Sequence, residues 1–346
     1  MKIIKVSPPH KTWPYLRQTP FGKGVWRNYK FIFTDEPIEC DAWIVLGFFL
    51  GFSESARCPP RNKILINGEP PTMRHYPNEY VKQFDLVTTC SGYLFKHENV
   101  FERPPTLEWY FGVYQKYIHI PDKKKLLNSL SYEELFKTNK PVKKKLISVV
   151  INDKSFTEGH VKRREFVLKL KKHFGDSLDI LGRSFNYIHD KKDAILDYKY
   201  HIVIENSVFK HYWSEKLADA YLGWSYPIYY GCPNLSDYFD DKAYSLIDID
   251  DVDYSIKVIE LLISNNIYEK NNLYIEKARN DILTKYNMFE MMADLLDDLD
   301  YSCQKEGFVI KSIEGINGKF NYLKLRARIN ARNIRNKLKK YLTLPL

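Results

Sequence analysis

The apolar positions of this sequence form short runs in its first third and alternating strand-like and helix-like blocks after residue 145. The early runs are Lys2–Val6, Phe31–Phe33, Trp43–Leu46, Lys63–Ile66 and Leu86–Thr88, and their β-branched and aromatic content predicts strands. Between them lie Pro8-Pro9, Pro59-Pro60, Pro70-Pro71 and Pro104-Pro105, where helix is disfavoured. Around residues 121–145 the pattern becomes basic and polar: Lys123–Lys125 and Lys143–Lys145 bracket LLNSLSYEELF, which reads as a short helix in an interdomain connection.

After that connection the alternation is regular. Leu146–Ile151, Leu178–Leu181, Tyr200–Glu205 and Tyr226–Tyr230 read as strands, two of them ending at Gly182 and Gly231. Val161–His173, Lys191–Lys199 and Ser214–Leu222 have helical spacing, and residues 252–300 are mostly helical. Strand–helix–strand units of this length predict a parallel sheet covered by helices, hence an α/β fold. The division expected is residues 1–140, residues 141–300 and a basic helical tail over 301–346.

The chain has 346 residues, enough for two domains, and its 44% hydrophobic content supports packed cores. Five cysteines, Cys40, Cys58, Cys90, Cys232 and Cys303, form no Cys-x-x-Cys pair, which argues against a zinc site and for reduced thiols. The N-terminus lacks the pattern of a signal peptide, and the longest apolar run, Ala42 to Phe52, is too short to cross a bilayer, so a cytoplasmic protein is expected. The net charge of +10 opens nucleic acid, an anionic membrane or phosphorylated substrates as partners. A large share of that excess lies after residue 318, and no nucleic-acid motif appears, so a basic nucleic-acid-binding protein is the alternative rather than the main reading.

Phosphate chemistry has suitable residues in suitable places. Arg163 opens the helix that follows the Leu146–Ile151 run, and its guanidinium can fork onto phosphate oxygens. The alternative for it is a solvent-facing helix arginine. Ile202–Ile204 leads into Glu205, Asn206 and Ser207, and Tyr212-Trp213-Ser214-Glu215-Lys216 then starts a helix with Ser214 as its N-cap. A lysine in that first turn opposes the helix dipole, a conflict that a bound phosphate removes. In YSLIDIDDVDY, Asp248, Asp250, Asp251 and Asp253 form an acidic cluster. It reads either as a metal-holding Asp-x-Asp or, preferably, as a solvated loop with an aspartate capping the next helix.

The strings GHVKRREF (159–166), LDILG (178–182), DKKDAILDYKYHIVIENS (190–207), YWSEKLADAYLG (212–223) and YPIYYGCPNLSDYF (226–239) follow one another in an order that resembles the donor domain of the α-1,3/1,4-fucosyltransferase family, glycosyltransferase family 10 in its bacterial type. The stretch that carries them, from about Leu146 to Phe239, is about a quarter of the chain. The resemblance implies two Rossmann-like domains facing a cleft, the GT-B arrangement. It implies an inverting, metal-independent transfer of L-fucose from GDP-β-L-fucose to a glycan hydroxyl, with no cofactor. By the same resemblance Arg163 and Lys216 contact the donor diphosphate, Tyr212 and Glu215 lie at the fucose ring, and Glu205 and Asn206 belong to the nucleotide site. Lys191 or Lys192 fills a further basic position. Ser214 replaces a more usual Thr and keeps the hydroxyl cap. In the first domain ILINGEP resembles the family's strand-then-Glu motif, which makes Glu69 the general base, with Glu108 in LEWYFG as the reserve.

The resemblance leaves the hexose less fixed than the nucleotide, so another GDP-sugar is the nearest alternative. The acceptor expected is an oligosaccharide or lipid-linked glycan, as in lipopolysaccharide synthesis. Residues 319–346 carry no acidic residue, and Leu323, Ala327, Ile334, Leu338, Tyr341 and Leu342 approximate one helical face. Such a basic amphipathic helix suits an anionic membrane surface and suggests a peripheral position on the inner face of the cytoplasmic membrane.

Overall fold

The structure, a computed structural model, describes residues 1–47, 52–70, 72, 76–117, 124–151, 158–182 and 185–316. The expected tail helix over 319–346 lies outside them. In chain order the first strands are β1 (Lys2–Ser7), β2 (Val25–Trp26), β3 (Tyr29–Phe33), β4 (Ala42–Leu46), β5 (Glu54–Cys58) and β6 (Lys63–Ile66). Helix α1 (Asn78–Val81), β7 (Leu86–Thr89), β8 (Val100–Glu102) and the β9 (Val113–Tyr117)–β10 (Lys124–Ser129) hairpin follow. The chain continues with α2 (Tyr132–Lys137), β11 (Lys145–Val150), α3 (Glu158–Phe174), β12 (Leu178–Leu181), β13 (Tyr198–Ile204), α4 (Glu215–Leu222) and β14 (Tyr226–Tyr230). It closes with β15 (Ser245–Leu246), α5 (Val252–Ser264), α6 (Ile267–Lys270), α7 (Asn272–Leu283), α8 (Met288–Asp297) and β16 (Glu306–Ile310).

Two parallel sheets result. The first has the order β2-β3-β1-β4-β6-β7-β8, with only β2 antiparallel; the second has β12-β11-β13-β14-β15, all parallel. The continuous apolar runs explain this, because a strand covered on both faces needs apolar residues at every position. Every residue of Ala42–Leu46 and of Lys63–Ile66 is buried. Period-2 alternation then sorts them: Ile44, Ile64 and Ile66 face one core, and Trp43, Val45 and Leu65 face the other. Lys63 joins this strand by aiming its ammonium at Asp85, 2.7 Å away.

In both sheets the parallel strands follow the doubly wound pattern, in which the second lies on one side of the first and the third on the other. This puts a topological switch point between β1 and β4 in the first sheet and between β11 and β13 in the second. Open α/β sheets bind ligands outside the carboxyl ends of the strands at such points. The expected pair of Rossmann-like domains facing a cleft is therefore the fold observed.

Three expectations change. LLNSLSYEELF is not one helix: its first half belongs to β10, and a capping box of Ser131 and Glu134 starts α2 only at Tyr132. Lys191–Lys199 forms only a single tight turn over Lys191–Ala194, capped by Asp190, because β13 already begins at Tyr198. The boundary expected at residue 300, with helix beyond it, differs from the packing. Met288, Phe289, Met292 and Leu296 of α8 pack against Ile4, Val6 and Phe31 of the first sheet. Glu306–Ile310, expected as helix, is instead a strand that pairs antiparallel with β5, and Ile310 and Ile313 complete the opposite core. Apolar periodicity marks a helix but does not say which core it covers.

The segment Trp109–Gly112 is held from both domains. From the first domain Arg17, 6% exposed, donates to the carbonyls of Trp109 (2.6 Å), Phe111 (3.0 Å) and Leu130 (2.8 Å), and Gln18 accepts from the Trp109 amide at 3.0 Å. From the second, Asp219 accepts from the amides of Tyr110 and Phe111, and Asp190 from that of Gly112. Burial pushes the Arg17 guanidinium down to about 10, against the opposing pull of Asp219 and Asp190. Arg17→Met leaves three carbonyls, two of them in buried hydrogen bonds, without this donor. It is expected to lower stability by about 3 kcal/mol or more in urea unfolding. A change under about 0.5 kcal/mol would show that the joint does not depend on this side chain.

Candidate active site

A cleft of about 540 Å³ lies between the domains, within the usual range for small-molecule sites. Both switch points open into it. Pro9 and His10 after β1, Leu46 and Gly47 at β4, and Gly68 and Glu69 after β6 form one wall; Val149–Ile151, Ile202–Ile204 and the start of α4 form the other. Of the residues singled out in the sequence, Glu69, Glu108, Arg163, Lys191, Asn206, Tyr212, Glu215 and Lys216 line it. Of the two lysines, Lys191 lines the cleft and Lys192 does not.

Glu205 does not line the cleft. It is 2% exposed, and its carboxylate accepts from the Ser214 amide (2.8 Å), the Ser214 hydroxyl (2.7 Å) and the Lys216 ammonium (3.1 Å). Gly231 permits this seat, since a Cβ there would stand 2.6 Å from the Glu205 Cγ. Glu205 thus anchors the start of α4. It also answers the dipole conflict at Lys216, because that lysine turns back onto a carboxylate within the fold.

Ser214 caps α4 as expected, its hydroxyl accepting from the Lys216 amide. Lys216 also reaches Glu215 at 3.5 Å, Glu215 reaches Lys191 at 3.4 Å, and Lys191 reaches Asp219 at 2.9 Å. Asp219–Lys191–Glu215–Lys216–Glu205 is therefore a row of alternating charges. Burial penalises the Glu215 carboxylate, but Lys216 and Lys191 overcome that and hold it down to about 2. At Lys191 burial lowers the affinity for the proton, and Asp219 and Glu215 more than reverse it.

Arg163 completes the cation set from α3. It is 7% exposed, not the solvent-facing arginine of the alternative reading, and its Nη1 donates to the Asn206 Oδ1 at 2.9 Å. Among the described residues no carboxylate lies within ion-pair distance of it. Burial lowers its proton affinity despite Glu205 and Glu215 nearby. A guanidinium placed this way has the geometry to take an anion. Tyr212 is 2% exposed, and burial, then Glu205, Glu215 and Glu69, push its hydroxyl far up, so it stays a neutral hydrogen-bonding phenol. Trp213 beside it packs edge-on against Tyr238, Phe239 and Tyr286, fixing the turn that presents Tyr212.

On the first-domain wall, the Glu69 amide donates to Asn67 Oδ1, which also accepts from the Tyr76 hydroxyl. Three residues on, the Thr72 hydroxyl bonds that of Ser207 across the cleft mouth. Sequence reasoning passed over Asp219, Tyr110 and Asp190; the available signal was Asp219 itself, a charge among the apolar residues of LADAYL one turn after Glu215. In the acidic cluster Asp251 caps α5 and Asp250 pairs with Lys162. Among the described residues no group of three His, Cys, Asp or Glu is placed to hold a metal ion. A wider groove of about 1520 Å³ beside β8 and α8 contains none of the candidate site residues read from the sequence.

Residues 140–276 match the sequence family described as glycosyltransferase family 10 (fucosyltransferase), C-terminal part. Among solved structures an α1,3-fucosyltransferase is similar at 18% identity over 79% of this chain and 80% of that one, with a TM-score of 0.48. An α1,3-fucosyltransferase with GDP gives 18% over 87% and 92%, TM-score 0.48, and one with GDP-fucose gives 16% over the same shares, TM-score 0.44. No curated protein sequence matches significantly.

The Glu215 carboxylate carries a pH prediction. Its proton affinity is lowered in the folded chain, so its contribution to stability is present above about pH 4.5 and is lost as pH falls toward about 2. Thermal unfolding of wild type and Glu215→Gln should therefore differ at neutral pH and converge across that window. A difference that stays constant down to about pH 2 would contradict the ion-pair row.

Proposed function

We propose that this chain, a fucosyltransferase-like glycosyltransferase of family 10, transfers L-fucose from GDP-β-L-fucose to a glycan hydroxyl with inversion and without a metal ion. The observation that carries this reading is the Arg163 guanidinium, buried and without a carboxylate in contact, beside Lys216 at the second switch point. A departing diphosphate needs donors already in place where its charge develops. Arg163 supplies a planar fork and Lys216 a point charge, both in a site held rigid by Glu205 and Ser214. With these two cations meeting the phosphates, the reaction calls for no divalent ion. Tyr212 and Glu215, at the mouth of α4, meet the fucose ring, and Asn206 stands beside Arg163 on the nucleotide side.

The acceptor hydroxyl must lose a proton as its oxygen attacks the anomeric carbon. Two carboxylates line the first-domain wall, Glu69 and Glu108. Glu69 is favoured as general base because its charge acts on Tyr212, on the donor side, whereas that of Glu108 acts on Tyr15 and Tyr110. Calorimetry without added metal should show binding of GDP, weaker binding of UDP, and about a 10- to 100-fold loss of GDP affinity in Lys216→Ala. Glu69→Gln should bind GDP normally and turn over GDP-fucose about 10²- to 10⁴-fold more slowly. Equal affinity for GDP and UDP, or binding that requires a divalent ion, would sink the donor assignment. Turnover of a different GDP-sugar would keep the site and change the hexose. Loss of turnover in Glu108→Gln instead of Glu69→Gln would move the base to Glu108.

The basic segment 319–346 supports a further part of this reading: the enzyme works on glycan acceptors of the lipopolysaccharide kind at an anionic cytoplasmic membrane surface. Each basic side chain near such a surface contributes about 1 kcal/mol of attraction. The full chain should sediment with phosphatidylserine vesicles and a chain ending at residue 318 should not. Equal sedimentation of the two would remove the tail from the proposal.

A further inference from the structure

We infer that Asp219 is a positioning residue, the group that sets the first-domain lip of the cleft against the donor-binding cations. This rests on the proposed function for its kinetic part only.

Asp219 lies on α4 one turn after Glu215, and its side chain is fully buried. A carboxylate out of water is costly unless several donors meet it. Three do, from two separate segments. Its Oδ2 accepts from the Lys191 ammonium at 2.9 Å, while Oδ1 accepts from the backbone amides of Tyr110 (3.0 Å) and Phe111 (2.9 Å). The Tyr110 ring in turn covers Lys191, with the ammonium 4.8 Å from the ring centroid. The segment so held is the one that brings Thr106, Leu107, Glu108 and Tyr110 into the cleft.

The two oxygens therefore do different jobs. One neutralises a cation of the second domain, and the other fixes where a strap of the first domain sits. Reaction between a donor bound on one domain and an acceptor bound on the other depends on that spacing, and a misplacement of about 1 Å can cost on the order of 10² in rate. Arg163 and Lys216 do not contact Asp219 but Lys191 does, so the test sets the loss of kcat against any loss of GDP affinity.

The test uses full-length Asp219→Asn, Asp219→Ala and Asp219→Ser. Asparagine keeps an oxygen for the two amides; alanine and serine do not reach them. We expect kcat with GDP-fucose to fall about 10²-fold in Asp219→Ala and Asp219→Ser, a larger loss than either variant shows in GDP affinity. Asp219→Asn should restore most of kcat. Amide exchange at Tyr110 and Phe111 should be fast in Ala and Ser and slow in Asn and wild type. Unchanged exchange in the Ala and Ser variants overturns the proposal, as does a kcat that falls only in step with GDP affinity, or an Asn variant no better than Ala. Absence of GDP-fucose turnover in the wild type would instead refute the proposed function, and the exchange pattern would still decide the strap.

Discussion

Glu205, Lys216, Glu215, Lys191 and Asp219 alternate in sign within one half-buried row, and the cleft owes its form to the attraction along it. No member is stable there alone. Removing one partner from a buried pair costs about 3–5 kcal/mol because the other charge is left stranded. The row therefore locks the first turn of α4, the turn before it and the tight turn at Lys191 into one arrangement. Arg163 stands outside the row, and among the described residues no carboxylate is within ion-pair distance of it. The site is neutral enough to fold and incomplete enough to bind.

The fold places this row where it can act. Each sheet reverses its strand order next to its first strand, and the loops after those strands converge on one space. The second domain supplies the cations and the helix terminus, while the first supplies carboxylates on loops after β6 and β8. Arg17, Gln18, Asp190 and Asp219 all converge on Trp109–Gly112, so the segment held from both domains is also the one that aligns them.

Much of this was legible in the sequence where the physics is local. Buried parallel strands need unbroken apolar runs, so Leu178–Leu181 and Tyr226–Tyr230 were bounded correctly. Ser214 showed itself as a cap because capping is a matter of neighbouring residues. Residues whose roles depend on distant partners were not legible. Glu205 read as a ligand contact because nothing nearby announces that Lys216 turns back onto it. The choice between Lys191 and Lys192 needed the orientation of one turn. The destination of α8 needed the whole chain, since its apolar face fits either core equally well on paper.

The return of α8 and β16 to the first sheet makes that domain discontinuous. A chain emerging from the ribosome presents residues 2–113 long before residues 288–313 exist to cover them. Until then the faces carrying Ile4, Phe31 and Leu65 lack part of their cover, while the second domain already has every residue of its own core by about Met291. The half written first is thus the half finished last. The first-domain wall of the cleft is completed only once the second-domain wall stands, and a nascent chain cut short before α8 carries exposed apolar sheet for quality control to find.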